Sequence, residues 1–448
     1  MEPEPQSQKQ TFERELEARL ETLRSQGLYR ELRPVDSPQQ TVLRVGGREL
    51  LNFSSNDYLG LANEPVLKEA ALAALRHFGA GSGASRLICG SLQPHHALEA
   101  AAAEFKGTEA ALSFSSGYAA VLGTICALLA KDDVMVVDKL VHASIVDAAR
   151  LCGAKLRVFA HNDLNDLERI LQWADRRQPS SRPMNRPVLA SSSPSATQGE
   201  RGPQVEDSRR SHSLSLALPP SKRSRTLIVT ESVFSMDGDR APLQAMVALK
   251  EKYGAWLMLD EAHATGLFGP HRRGLAEAEG VSDHIEIQLA TLGKAVGASG
   301  GCVCGSQTLV DYLVNRARSF IFSTAPAPAA AAAAAAGLRF IQSTAGEARC
   351  RCLWERVAQC RRALDLPGEA PSAIIPVLIG AEDQAVEAAA NLRGQDLFIP
   401  AIRYPTVARG QARLRLTLTA SHTAEDISRV AGAVKGYLRQ DQTPPSSP

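Results

Sequence analysis

The chain has 448 residues, 44% of them hydrophobic and 22% charged, which is ordinary for a globular protein that buries a substantial core. Its 50 basic and 48 acidic residues leave a formal net charge of +2, and that balance argues against a nucleic-acid binder working through bulk charge. The polar opening MEPEPQSQKQTFERELEARL lacks the apolar core of a secretory signal, and the alanine tract at 329–336 is too short and weakly apolar to cross a bilayer. A soluble cytoplasmic protein with no membrane or nucleic-acid partner is expected.

Phe12, Leu16, Leu20 and Leu23 recur at helical spacing among Glu and Arg, predicting an amphipathic helix within 11–33. TVLRVGGRELLNF then predicts a hairpin turning at Gly46-Gly47. From about 64 to 320, helical patterns alternate with short apolar, often β-branched runs: ALSFSS, DVMVVD, LRVFAH, TLIVTE, AWLMLD and IQLATLG. Such alternation predicts an α/β fold, with a mainly parallel sheet covered by helices on both faces. Ligands in sheets of this kind sit beyond the carboxyl ends of the strands. After about 340 the order is long helix, IIPVLIG, helix, IPAIRYP, LRLTLT and a final helix from Thr423, a smaller α+β unit.

The expected organisation is a helix-and-hairpin segment over 1–63, a large domain over 64–338, a small domain over 339–438, and a disordered tail over 439–448. Residues 178–224 break the pattern with twelve serines and seven prolines in 47 residues. That composition cannot bury enough surface to offset ordering entropy, so a disordered insertion is expected there. Four of the eight cysteines form C-x-C pairs, Cys302/Cys304 and Cys350/Cys352, with no histidine pair beside them. They fit thiols in a reducing compartment better than zinc ligands, and no metal is expected.

Candidate chemistry gathers at the strand ends. Lys294 follows Thr291-Leu292-Gly293 and precedes small residues only, which leaves room for a bulky group against the backbone. An enclosed lysine can shed its proton and form a Schiff base with a carbonyl, although a lysine beside glycines is more often simply solvated. Asp260 ends WLMLD, where a carboxylate can pair with a protonated pyridine nitrogen and keep an electron sink switched on, as pyridoxal 5'-phosphate (PLP) requires. His263 follows three residues later and could bond the ring's phenolic oxygen. The bland alternative for D-E-A-H is a helix cap after a strand. FSSGYAA turns a strand end into a helix start, where amides of Ser116, Gly117 and Tyr118 would suit a phosphate. His142 follows the next strand and could lie over a cofactor ring, or simply cap a helix.

Taken together, NFSSNDYLGLA, GAGSGASRLICGSLQPHHALE, FSSGYAA, VHASIVDAARL, FAHNDL, TESVFSMDGDRAPL, LMLDEAHATGLFG, TLGKAVGASGG, FIFSTAPAP and AIRYPTVARGQARLRLTLTASHT resemble the α-oxoamine synthases over about residues 12–436. These are PLP enzymes of the aspartate-aminotransferase-like fold (fold type I). The resemblance implies that Lys294 holds the cofactor and moves the Cα proton, and that Asp260 pairs with the pyridine nitrogen. It places His263 on the phenolic oxygen and His142 on the ring face. Ser116, Gly117, Tyr118, Glu231, Ser235 and Thr291 would line the cofactor, with Ser323 and Thr324 reaching its phosphate from the second subunit of a homodimer. Asn56 and Arg415 would hold the amino-acid carboxylate, while Arg30, Arg403 and Thr406 would contact the acyl substrate. GASRL and AIRYPTV, with Arg403, favour the branch that condenses L-alanine with pimeloyl-CoA or a pimeloyl-carrier protein toward biotin. Glycine-using relatives that take acetyl-CoA or succinyl-CoA are the alternative.

Overall fold

The computed structural model describes residues 8–177 and 224–438. The expected tail over 439–448, and the expected insertion up to residue 223, lie outside the described residues.

Each of the six runs singled out by composition forms a strand. In chain order the strands are β1 (Val42–Val45), β2 (Arg48–Asn52), β3 (Ala110–Phe114), β4 (Val134–Asp138), β5 (Lys155–Phe159), β6 (Thr226–Glu231), β7 (Trp256–Asp260), β8 (Ile287–Thr291), β9 (Gly301–Gly305), β10 (Ile374–Gly380), β11 (Leu397–Phe398), β12 (Ala401–Ile402) and β13 (Ala412–Thr417). The central sheet runs in the order β3, β9, β8, β7, β6, β4, β5. All its pairings are parallel except the two made by β9, which lies antiparallel between β3 and β8.

Side chains alternate across this sheet into two apolar clusters. Val136, Ile228, Leu257 and Leu259 belong to one, and Met135, Val137, Leu227, Val229 and Met258 to the other. A sheet buried on both faces needs apolar residues at every position, which is why these strands read as continuous runs. Burying each such side chain is worth roughly 1.5–3 kcal/mol, so the sheet anchors the molecule.

β9 is a strand that composition hides. GCVCG has two glycines and only one β-branched residue, and it reads as the tail of the glycine run after Lys294. Its glycines are needed for space. A Cβ on Gly301 would lie 2.7 Å from Gly117 Cα, and one on Gly305 would lie 2.7 Å from the Glu286 carbonyl oxygen. The period of two also explains the C-x-C pair. Cys302 and Cys304 face the same cluster, against the helix Gln93–Lys106, where Cys304 Sγ lies 3.9 Å from the Ala102 carbonyl oxygen.

The N-terminal helix spans Gln8–Ser25 and so stops well short of residue 33. Gly27, at φ 66°, reverses the chain there. β1 and β2 form the expected hairpin, with Gly46 and Gly47 both at positive φ as a tight two-residue turn demands. This hairpin does not stand alone: β2 pairs in parallel with β11, and the Phe53 carbonyl accepts from Thr417 N at 2.9 Å. β10, β13 and β12 form the antiparallel sheet of the C-terminal unit. The final helix, Ala424–Val434, opens on a capping box in which Thr423 and Asp426 exchange hydrogen bonds. Among the described residues no helix is long and apolar enough to cross a membrane.

Candidate active site

The register of the central sheet delivers the chemistry side by side. Glu231 is the partner of Asp260 across β6 and β7, and Thr291 is the partner of Gly301 across β8 and β9. Three parallel strands thus end together and aim polar groups into one crevice.

Lys294 Nζ lies 2.8 Å from His263 Nε2, and His263 Nδ1 lies 2.6 Å from the Tyr58 hydroxyl. Burial pushes the Lys294 ammonium down to about 8, against the pull of Asp260 and Glu231 toward the charged form. Burial also drives the His263 pKa well below its ordinary value, with Lys294 and Arg415 adding to the effect. A neutral imidazole offers one donor and one acceptor, matching its two partners. Asp260 is buried, and burial raises its pKa while Lys294 lowers it. Its Oδ1 accepts from Ala262 N at 2.9 Å. Burial, and next the charge on Asp260, lift Glu231 to about 8, and its Oε1 is buried with no hydrogen-bond partner.

His142 caps the helix Ala143–Cys152, its Nδ1 accepting from Ser144 N at 3.2 Å. Burial lowers its pKa, so the neutral ring carries its proton on Nε2. The helix Gly117–Leu128 begins beside Gly301, with the Ser116 hydroxyl accepting from Ala119 N at 3.1 Å. The amides of Gly117 and Tyr118 are in the first turn, beyond the reach of any intrahelical carbonyl. The Tyr118 hydroxyl donates to Asp147 Oδ2 at 2.8 Å on the outside of the protein.

The C-terminal unit supplies Arg415. Its Nη1 donates to Asn56 Oδ1 at 3.0 Å and to Thr417 Oγ1 at 2.9 Å, and its Nε donates to the Ser235 carbonyl at 2.6 Å. Arg30, Arg403 and Thr406 form a separate cluster. Arg30 Nη2 lies 3.5 Å from Thr406 Oγ1, and Arg403 Nη2 donates to the Tyr29 carbonyl at 2.7 Å. Burial, then the nearby charges of Arg30 and Arg33, lower the Arg403 pKa, and its Nε is buried without a partner. Ser323 and Thr324 lie in the loop after the helix Arg318–Ile321, where Thr324 bridges to Ser85, and no hydrogen bond joins them to the Lys294 group among the described residues.

These residues fit PLP. They offer a buried amine of lowered pKa, a buried carboxylate, a neutral imidazole and two free amides at a helix start. The small cradle is real: a Cβ on Gly117 would come 2.6 Å from Thr291 Cγ2. By contrast, a cavity of about 900 Å³ at the opposite strand ends, lined by Arg225, Trp256 and Ile287, holds none of these groups.

Tyr58 is the site residue that sequence reasoning passed over. It lies in NDYLG, a stretch quoted for its resemblance, but its bond to His263 spans 205 positions and leaves no local signal.

A family model for aminotransferase class I and II matches residues 48–434. An 8-amino-7-oxononanoate synthase of Geobacter sulfurreducens is 43% identical over 425 residues, covering 94% of this chain and 97% of that relative. One of Geotalea daltonii is 41% identical over 429 residues, covering 95% and 97%. The chain belongs to the 8-amino-7-oxononanoate synthase family. Among solved structures, a serine palmitoyltransferase from S. paucimobilis with PLP and myriocin bound matches at a TM-score of 0.80 and 26% identity, covering 96% of this chain and 98% of that one. A Sphingomonas wittichii serine palmitoyltransferase matches at 0.79 and 29% identity over the same shares. The α/β architecture is thus the fold-type-I, aminotransferase-like one that the resemblance implies.

Proposed function

We infer that the chain condenses L-alanine with a pimeloyl thioester, releasing 8-amino-7-oxononanoate, carbon dioxide and free thiol in biotin biosynthesis. It is a PLP-dependent acyltransferase. The observation that carries this reading is the amine of Lys294 at hydrogen-bond distance from His263, its pKa brought to about 8 by burial. When bound, PLP supplies an electron sink for the negative charge that develops at the amino-acid Cα.

The chain's own groups do the rest. Lys294 Nζ would hold the cofactor through its aldehyde carbon, and its amine would remove the Cα proton of the amino acid. It would return a proton to the same carbon after carbon dioxide has left. Asp260 would hold a proton on the pyridine nitrogen, and His263 would hold the phenolic oxygen. His142 would lie on the ring face, and it or a neighbouring group would polarise the thioester oxygen. Gly117 and Tyr118 amides, with Ser116, Ser235, Glu231 and Thr291, would line the cofactor. Arg415 and Asn56 orient the alanine carboxylate.

The second cluster suits the far end of the acyl chain. A guanidinium with an unpaired buried Nε, beside two further arginines, favours an anion. The distal carboxylate of a pimeloyl group is such an anion, and Thr406 and Arg30 complete the contact. Ser323 and Thr324 would contact the phosphate of the neighbouring subunit in a homodimer of cytoplasmic location.

The test is product formation from L-alanine with pimeloyl-CoA and with a pimeloyl-carrier protein, set against glycine with acetyl-CoA or succinyl-CoA. Alanine with a pimeloyl thioester is expected to win. Lys294→Ala should fold normally yet lose turnover by at least about a thousandfold. Turnover unchanged in that variant would falsify the scheme.

A further inference from the structure

His161 lies just beyond β5, and both of its ring nitrogens are committed. Nδ1 is 2.9 Å from Asp138 Oδ1, and Nε2 is 2.7 Å from Asp239 Oδ2. An ionised carboxylate only accepts, so serving both requires a ring with two N–H groups, which is the imidazolium. Burial opposes that charge, but the hydrogen bonds to Asp138 and Asp239 outweigh it and push the pKa up to about 10. Phe234 packs edge-on at 4.4 Å between centroids, and Asn162 Nδ2 shares Asp239 Oδ2 at 3.0 Å.

The two carboxylates belong to the two segments that deliver site groups. Asp138 ends β4 and is fully buried. Its Oδ1 also accepts from Leu140 N at 2.8 Å, which shapes the turn leading to His142. Asp239 belongs to a tongue over 233–240, closed by a bridge between Val233 and Arg240 and by Gly238 N donating to the Phe234 carbonyl at 2.8 Å. This tongue presents the Ser235 carbonyl to Arg415 Nε. Its other side is tied to the C-terminal unit: Asp237 pairs with Arg413, and the Gly238 carbonyl accepts from Ser372 Oγ at 2.7 Å.

We propose that His161 is a positioning residue for amino-acid binding: by clamping Asp239 to Asp138 it fixes the tongue whose Ser235 carbonyl aims Arg415, in register with the strand end that carries His142. A neutral ring could hold only one of the two carboxylates, so the clamp depends on charge as well as shape. The proposal rests on the alanine-condensing reading for its ligand, but the clamp itself is a property of the chain alone.

Two measurements test it. In PLP-free protein labelled with nitrogen-15 at histidine, His161 should keep both ring nitrogens protonated at about pH 8, unlike an unperturbed histidine. A neutral His161 ring there overturns the clamp. In PLP-loaded enzyme, His161→Gln and Asp239→Asn should each raise the Kd and KM for L-alanine about tenfold, with PLP affinity and kcat within about threefold. Unchanged alanine affinity in folded Asp239→Asn overturns the proposal. So does a parallel loss of alanine affinity, PLP affinity and melting temperature, the pattern of a merely structural ion bridge. If His161→Gln does not fold, Asp239→Asn, which removes one charge at constant volume, decides alone. Wild-type enzyme that binds no alanine refutes the functional reading instead, and the ring-nitrogen result still decides the clamp.

Discussion

Lys294 would owe the reactivity proposed for it to where it is buried. A solvated lysine is protonated far above neutral pH, and only the neutral amine attacks an aldehyde. At a pKa of about 8 the neutral fraction is appreciable near pH 7.5 and nearly complete a little above pH 9. The rate at which the PLP-free chain captures PLP covalently should therefore climb through about pH 8 and then level off. A rate still rising tenfold per pH unit above pH 9 would show an ordinary lysine. The same shift has a stability sign. Because the folded-state pKa lies below the unfolded one, the unfolded chain holds the extra proton between about 8 and 10.5. Burying Lys294 is thus most unfavourable below about pH 8, and the penalty fades as pH rises toward 10.5. At this scale the sequence is legible where a residue sits at a strand end, as Asp260 does. It is silent where a partner is remote: the His161 bond to Asp239 spans 78 positions and leaves no periodic mark.

Elements become legible through period and composition, and both fail together at β9. The runs ending in Asp138, Glu231 and Asp260 are rich in Val, Ile, Leu and Met and stand between helical patterns. GCVCG lacks that signature because its glycines serve the neighbouring helix start. Gly117 meets Gly301 on one side and Thr291 on the other, so the proposed phosphate cradle is a packing problem between a helix, β8 and β9. Gly117→Ala should weaken PLP binding at least about tenfold, since a methyl 2.6 Å from Thr291 Cγ2 must push the helix start or the strand end aside. Thr291→Ser removes that Cγ2 and keeps the hydroxyl. The double variant should recover most of the lost affinity, as measured by equilibrium PLP titration. Strict additivity of the two changes would mean that the clash lies elsewhere.

At the scale of the whole molecule, the Lys294 crevice is built from three distant parts of one chain: the strand ends, the NDYLG turn and the C-terminal Arg415. The described chain also leaves groups unused. Phe12, Leu16, Leu20 and Leu23 keep the helical spacing that the sequence shows, yet all are exposed. An amphipathic helix with its apolar stripe in water is expected to find a partner surface, and a second copy is the simplest one. Among the described residues, no hydrogen bond joins Ser323 or Thr324 to the Lys294 group, as a shared site requires if they serve the neighbour's phosphate. Complementation tests this directly. Thr324→Asp should place a negative charge against the phosphate and, alone, remove most activity. Lys294→Ala should be inactive for its own reason. In a mixed dimer, one site collects both defects while the other combines an intact Lys294 with an intact Thr324 from its neighbour. Random remixing of the two inactive variants should therefore restore about a quarter of wild-type activity: half of the dimers are mixed and each has one sound site. If Thr324 instead serves the site of its own chain, every site in every dimer carries a defect and remixing restores nothing.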